Sequence, residues 1–600
     1  MKYMFKVIDN MPYLIDDDGN SIFLGGEELG NYIGEVKKFF DGEYLEKVRH
    51  EVSNEEKTNV DINIKYELKL VDSPIRNEYI VGSFSTAGTT SGTCSKHKDK
   101  KLYHVKPLNS ILPNFVVPYK KKKSESLVIV FKFTSWNNQL PDGSIGNEGI
   151  ILENNDDNWE RIIMHHCGIY PKKYFDFDKR ILKKIESNSI NPLEEKISRK
   201  IFNDIHPKAF TFSVDNESTI DYDDAFSIYE DGDEINIAVH IAQPNYWLSK
   251  SDLDEKVKSQ VGTLYGNDKR LDLFGTNLTL ASSLKEGELR PSYTILFRHS
   301  KEVEDTVIEH YPSFIRVDKN LSYESPELEK IDECCLLKKI TDKMSEKNND
   351  YHDIVSYWMI EVNSFIGNAL YSSIPEKSIP YRVDEKKDII CLENLSDNIL
   401  PREIKEKIDS RNNSKAIYTY ASSEKTCNHF QLGLKNYCHF TSPIRRIVDT
   451  YIHYYLTYSV NTSLNLDNLN KLDSKTRKFH SMINTKTKID DAFGSNNVIS
   501  EKAWIVKIIN KNLVEVYLEK IKIFKKINVY HPKFSYLVND CVIEEDDDVI
   551  FKVNLNVTDS EGNPIKYSFS INQQYNIDLC KVNETLPNKM ISPFYLIDLI

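Results

Sequence analysis

Between Asp215 and Asp224 the chain reads Asp-Asn-Glu-Ser-Thr-Ile-Asp-Tyr-Asp-Asp, which sets Asp215, Asp221, Asp223 and Asp224 within ten residues. Carboxylates gathered in space raise one another's pKa values. A cation between them removes that penalty. Hard divalent ions take carboxylate oxygens, and Mg²⁺ holds a few of them while keeping other positions for water and substrate. Carboxylates sharing metal ions a few ångströms apart are a recurrent device for phosphodiester hydrolysis. A strand-like run, residues 209–214, leads into the cluster. Residues 225–230, the turn Asp231-Gly232-Asp233 and residues 235–242 follow. In the last run Ile235, Ile237, Val239 and Ile241 alternate with Asn236, Ala238 and His240. That pattern predicts a hairpin with one buried face, and it puts the aspartates on the connection just before it.

A second constellation lies at residues 437–456, Tyr-Cys-His-Phe-Thr-Ser-Pro-Ile-Arg-Arg-Ile-Val-Asp-Thr-Tyr-Ile-His-Tyr-Tyr-Leu. Ser442 suits an N-cap and Pro443 a first helical residue. Ile444, Ile447, Val448, Tyr451, Ile452, Tyr455 and Leu456 recur at helical spacing. Arg445 and Arg446 then fall in the first turn, where positive charge opposes the helix dipole at ~0.3–1 kcal/mol. One compensation is a phosphate bound by free backbone N–H groups and the guanidinium forks. The other is an Arg445–Asp449 pair at i,i+4.

The remaining features bound the architecture. Six hundred residues suffice for several domains. A hydrophobic fraction of 40% and a charged fraction of 28% suit a soluble globular chain. No apolar run approaches a membrane span, and the N-terminus has no signal-peptide core. Nine cysteines without a Cys-x-x-Cys pair predict reduced thiols and an intracellular, cytoplasmic or nuclear, setting. The net charge of −13 does not exclude a nucleic-acid ligand, because local potential decides. Basic runs occur at residues 96–101 and 120–123, and each also reads as a solvated loop. Short strands with turn residues run from Glu78 onward and suggest small β-barrels. Residues 170–205 look like a charged helical connector. Ile354, Trp358, Val362, Phe365, Ile366 and Ala369 share one helical face. The last hundred residues return to strands, with Lys520, Lys522, Lys525 and Lys526 on what reads as a basic barrel suited to single-stranded nucleic acid.

Taken together, the two constellations resemble the ribonuclease II/ribonuclease R family, the RNB-domain exoribonucleases. The matching segments are Val214-Asp-Asn-Glu-Ser-Thr-Ile-Asp-Tyr-Asp-Asp-Ala225 with Val239-His-Ile-Ala242, and His429-Phe-Gln-Leu-Gly-Leu with residues 437–446, Asp449 and His453. The likeness runs from about residue 78 to about 595. Residues 131–143 are similar to the second cold-shock domain of the eukaryotic exosome's exoribonuclease subunit, without room for its PIN domain. The implied fold is a multidomain α+β chain, an RNB catalytic α/β domain flanked by small OB-type barrels. The expected division is residues 1–75 of unclear role, a cold-shock-like barrel at 76–124 that extends into 1–75, a second at 125–170, the RNB domain at 171–498 and an S1-like barrel at 499–600.

The resemblance also implies an activity: hydrolysis of single-stranded RNA from its 3′ end to nucleoside 5′-monophosphates by a two-metal mechanism. Asp215, Asp221, Asp223 and Asp224 would hold Mg²⁺, or Mn²⁺ in its place. Asp223 and Arg445 would be catalytic. Tyr265 would stack on the terminal base, and Arg445 and Arg446 would contact RNA. His439 reads as structural. Family members work alone or in an exosome, which leaves partners open. Departures from the family pattern are Gln243 for Asp, Ile447 for Tyr, Tyr454 for Arg and Ser364 for Glu after Asn363. A non-catalytic RNA-binding protein on the same scaffold is the alternative. A structural Ca²⁺ loop lacks the glycine and terminal glutamate it would need and leaves Arg445 unexplained.

Overall fold

The computed structural model describes residues 2–599 apart from segments whose longest are 54–61, 188–198, 385–399, 529–536 and 582–594. Basic runs 96–101 and 120–123 lie partly outside the described residues.

Residues 2–72, to which the sequence assigned no role, form a six-stranded sheet of their own. Phe5, Leu14, Leu24, Tyr32, Leu45 and Leu68 fill its core. The next sheet closes on itself. Strand Ser126–Ser135 pairs with Tyr79–Ser85, which pairs with Lys101–Pro107, and the circuit returns through Phe115–Tyr119 and Asp142–Ser144. Closure removes exposed edges. A boundary at 124/125 is therefore corrected, because it would cut one barrel through its shared core of Phe84, Val105, Phe115, Val117, Ile129 and Phe131. The two N-terminal units are also tied together. Phe40 stacks on Phe115 at 5.8 Å and meets Trp136 at 4.8 Å. The buried Glu43 accepts Arg76 Nε at 2.7 Å and Ser73 Oγ at 2.6 Å.

Helices Trp159–His166 and Phe175–Ser187 lead to the central region. Its seven-stranded sheet has the order Lys200–Ile201, Thr306–Arg316, Leu289–Ser300, Glu234–Ala242, Asp224–Asp231, Phe210–Asp215, Lys319–Ser322. The expected hairpin is present, with Asp231 opposite Glu234 and Gly232 at φ 59°, a left-handed turn position that suits glycine. The expectation of one buried face is corrected. Ile237, Val239 and Ile241 enter the main core, while Ala238 and Ala242 pack with Phe202, Leu296 and Ile315 on the other side. Two-sided burial makes this a central strand, so its polar residues need internal partners. Across that second face runs a row of hydrogen bonds. Thr211 Oγ1 meets Ser227 Oγ at 2.6 Å, Ser227 meets His240 Nε2 at 2.9 Å, His240 Nδ1 meets Thr294 Oγ1 at 2.8 Å, and Thr294 meets Ser313 Oγ at 2.6 Å.

Helix Tyr351–Ser373 lays Ile354, Trp358, Val362 and Ile366 on the sheet, as the periodicity predicted. Gly367 is where it passes closest to the chain. A Cβ there would stand 1.9 Å from the Asn436 carbonyl oxygen. The C-terminal region contains a five-stranded sheet that includes Val498–Asn510 and Leu513–Leu518, and a separate three-stranded sheet that includes Val549–Thr558. Among the described residues no helix is long and apolar enough to cross a membrane.

Candidate active site

Strand Phe210–Asp215 ends on the first aspartate and Asp224–Asp231 begins on the last, so the sheet fixes both ends of the acidic loop. Ser283 pins the middle, taking the Tyr222 N–H at 2.9 Å and donating to the Ile220 carbonyl at 2.9 Å. All seven residues singled out from the sequence, Asp215, Asp221, Asp223, Asp224, Tyr265, Arg445 and Arg446, line one cleft of about 470 Å³.

The second constellation reaches this cleft by a route the periodicity misplaced. The helix expected from Pro443 starts at Ile447, with Arg446 as N-cap in extended conformation. The chain before it is held elsewhere. The Ile444 N–H donates to Asp223 Oδ1 at 2.9 Å, the Ile447 N–H to the Val261 carbonyl at 3.0 Å, and Gly262 bridges Arg446. Arg445 therefore stands before the helix and not in its first turn. Its Nε donates to Asp223 Oδ2 at 3.2 Å and its Nη2 to Ser442 Oγ at 3.0 Å, with half the side chain open to the cleft. The Arg445–Asp449 pair does not form. Arg446 takes Asp449 instead, at 2.7 Å, and Asp449 also accepts the Ser442 N–H at 2.8 Å. Asn363 secures the same loop by accepting the Phe440 N–H at 2.7 Å and donating to Tyr437 OH at 3.0 Å.

Burial dominates the electrostatics. It raises Asp215 to about 7, and Asp223 and Asp224 to about 8, with neighbouring aspartates adding to the rise and Arg445 opposing it. Asp223, the Tyr265 hydroxyl, Asp224 and Asp221 hold Arg445 well above the usual guanidinium range against its own desolvation. Asp215 Oδ2 and Asp224 Oδ2 are buried without a hydrogen-bond partner. Orphaned carboxylate oxygens at such positions fit a hard cation. Among the described residues no three His, Cys, Asp or Glu side chains are gathered as a ready-made metal cage. A small set of protein oxygens completed by water and substrate is the arrangement Mg²⁺ favours.

Two residues bonded to the aspartates were absent from the sequence reading. Arg270 donates to Asp221 Oδ1 at 2.7 Å. Tyr323 lines the cleft, its N–H on the Asp215 carbonyl at 3.0 Å and its ring stacked on His352 at 3.6 Å. Neither carries a local motif, and only the fold brings them to the aspartates. Tyr265 is partly exposed, its hydroxyl on Asp221 Oδ2 at 3.0 Å. His439 is partly buried, its Nδ1 at 2.8 Å from the Tyr418 hydroxyl. Gln243, which replaces the family's Asp, lies buried and accepts from Arg199 while its amide donates to Thr457 Oγ1 at 3.0 Å. His453 is likewise buried, bonded to the Phe440 carbonyl at 2.9 Å.

The family model described as the RNB domain matches residues 199–329 and 327–461, the segments that carry both constellations. The chain carries an RNB domain at residues 199–461. A curated relative, ribonuclease R of Aquifex aeolicus, is 24% identical over 433 residues, 59% of this chain and 60% of that protein. This RNB chain thus spans about three-fifths of that relative's length. Mycoplasma genitalium ribonuclease R, solved with ribose-methylated single-stranded RNA, superposes with a TM-score of 0.70 over 100% of both chains at 14% identity. Yeast Ssd1, described as a pseudonuclease, superposes with a TM-score of 0.60 over 93% of this chain and 81% of its own, at 13% identity. At those identities the likeness establishes the fold of the RNB chain: OB-type barrels around an RNB domain.

Proposed function

We propose that this RNB protein is a Mg²⁺-dependent hydrolytic 3′-to-5′ exoribonuclease acting on single-stranded RNA, with Mn²⁺ able to substitute. The observation that carries the reading is the meeting of Arg445 and Asp223 at 3.2 Å beside the two orphaned carboxylate oxygens of Asp215 and Asp224. Those two aspartates would hold the metal. When bound, Mg²⁺ supplies Lewis-acid polarisation of the phosphodiester and activation of a water. The chain's own residues do the rest. Arg445 presents donors to the scissile phosphate and matches the negative charge that develops there. Asp223, held by the Ile444 N–H, fixes the Arg445 fork. Tyr265 offers its ring to the terminal base. Water's oxygen joins phosphorus, the bond to the penultimate nucleotide's 3′-oxygen breaks, and a proton passes to that oxygen. A nucleoside 5′-monophosphate leaves. The free cysteines Cys94, Cys167, Cys334, Cys335, Cys427 and Cys438 agree with a cytoplasmic setting.

The second reading is an RNA-binding protein without turnover, favoured by the fold shared with a pseudonuclease. A time course on 5′-labelled single-stranded RNA, with Mg²⁺ or EDTA, separates the two. A descending ladder that needs Mg²⁺ and vanishes in Asp223→Asn supports the exonuclease. RNA bound but left intact by the folded wild type across metals and pH supports the alternative.

A further inference from the structure

The four aspartates are not equivalent. Asp215 and Asp224 each keep a buried oxygen without a partner, whereas both oxygens of Asp221 are taken. Oδ1 accepts Arg270 Nη1 at 2.7 Å and Oδ2 accepts the Tyr265 hydroxyl at 3.0 Å. Both donors come from one small hairpin, in which Tyr265 lies directly opposite Arg270. Arg270 is itself anchored, its Nε on Asp272 Oδ1 at 2.5 Å and its guanidinium over the Tyr265 ring at 5.2 Å. The Arg270–Asp221 pair is mostly shielded, with side-chain exposures of 22% and 8%. A charge-assisted bond in such a place is strong. One donor of the same fork, Nη2, is buried and has no hydrogen-bond partner. A cation therefore already occupies Asp221, and it carries a spare donor beside the Tyr265 ring.

We propose that Arg270 is a positioning residue that serves as the built-in counter-cation of Asp221, so that the RNA-free site takes one divalent ion, and that an RNA phosphate engages its spare donor and draws it off Asp221. This rests on the exoribonuclease reading and adds an order of events to it. The first ion enters at Asp215 and Asp224. Asp221 becomes available only once RNA is seated against Tyr265. Metal loading and substrate loading are then one coupled equilibrium, in which each favours the other.

Bound Mn²⁺ counted on RNA-free protein, by electron paramagnetic resonance and titration calorimetry, tests this in wild type, Arg270→Met and Arg270→Lys. Wild type should take one ion. Arg270→Met should take a second, or bind the first ~5-fold more tightly or better, while Arg270→Lys keeps the wild-type count. Affinity for single-stranded RNA in EDTA should move the opposite way, falling ~5-fold in Arg270→Met and recovering in Arg270→Lys. A variant that had only loosened the fold would lose affinity for both ligands, and that result overturns the proposal. So does a wild type that takes two ions without RNA, or an Arg270→Met variant with unchanged metal binding. Each of those leaves the exonuclease reading standing. A wild type that binds no Mn²⁺, with or without RNA, overturns both.

Discussion

Asp223 and Ile444 are separated by 221 residues and joined by one hydrogen bond of 2.9 Å, from the Ile444 N–H to Asp223 Oδ1. The second oxygen of the same carboxylate holds Arg445. One buried side chain thus aligns the acidic loop with the arginine loop. Asp223→Asn keeps an acceptor for Ile444 and should unfold in urea within about 1 kcal/mol of wild type, while Asp223→Ala leaves the amide unmet and should lose about 1–3 kcal/mol. Both should fail in RNA hydrolysis. Equal stability of the two variants would show that the bond contributes nothing to the fold.

Arg445 carries the charge that faces the cleft. Arg445→Lys keeps a cation and loses the fork that reaches both Asp223 and Ser442. Single-turnover hydrolysis should slow by ~10²–10³-fold, with RNA affinity changed much less. A variant whose affinity fell as steeply as its rate would assign Arg445 to ground-state binding.

Stability should fall as pH rises when no metal is present. Asp215, Asp223 and Asp224 titrate near 7 to 8 when folded, from an ordinary value of 3.8. Between those limits the folded chain holds more protons than the unfolded one, so each such group removes up to about 1.4 kcal/mol per pH unit. Buried His240 and His453, lowered to about 3, act oppositely, but only below about pH 6.5. The clean window therefore runs from about pH 6.5 to just under 8, where Lys525, lowered to about 8 by burial, begins to oppose the trend. Melting temperatures in EDTA should decline across it, and Mg²⁺ should remove the decline. A flat profile in EDTA would mean that these carboxylates are already compensated.

Gly367 is the place where the long helix touches the loop that Asn363 holds. Gly367→Ala puts a methyl group against the Asn436 carbonyl and should cost about 1–3 kcal/mol. Because Asn363 fixes Phe440, hydrolysis should fall with it. Chemical denaturation and a rate measured on the same preparation check the link.

The sequence located the residues of the cleft more fully than the path of the chain. The four aspartates declared themselves because their spacing has no cheap explanation without a cation. The arginine segment was recognised as a unit, yet its helix was begun four residues early. Ser442 and Pro443 are good starting signals, but long-range bonds to Asp223 and Val261 outcompete them. The hairpin was legible from alternation, whereas the burial of its second face was not, since His240 finds its partners only in the assembled sheet. Arg270 was invisible for a similar reason, because its meaning depends on Asp221, 49 residues away. The N-terminal barrels were misdivided because strands from 79 to 153 close through pairings that local pattern does not encode.

The row of hydroxyls and imidazole from Thr211 to Ser313 has a consequence for the cleft. It crosses neighbouring strands, including the two that end at Asp215 and begin at Asp224. A slip of one residue in any of them would turn a polar group into the apolar layer and break the row. The sheet therefore has a single vernier setting. The two carboxylates proposed to share a cation are borne on rails that cannot slide.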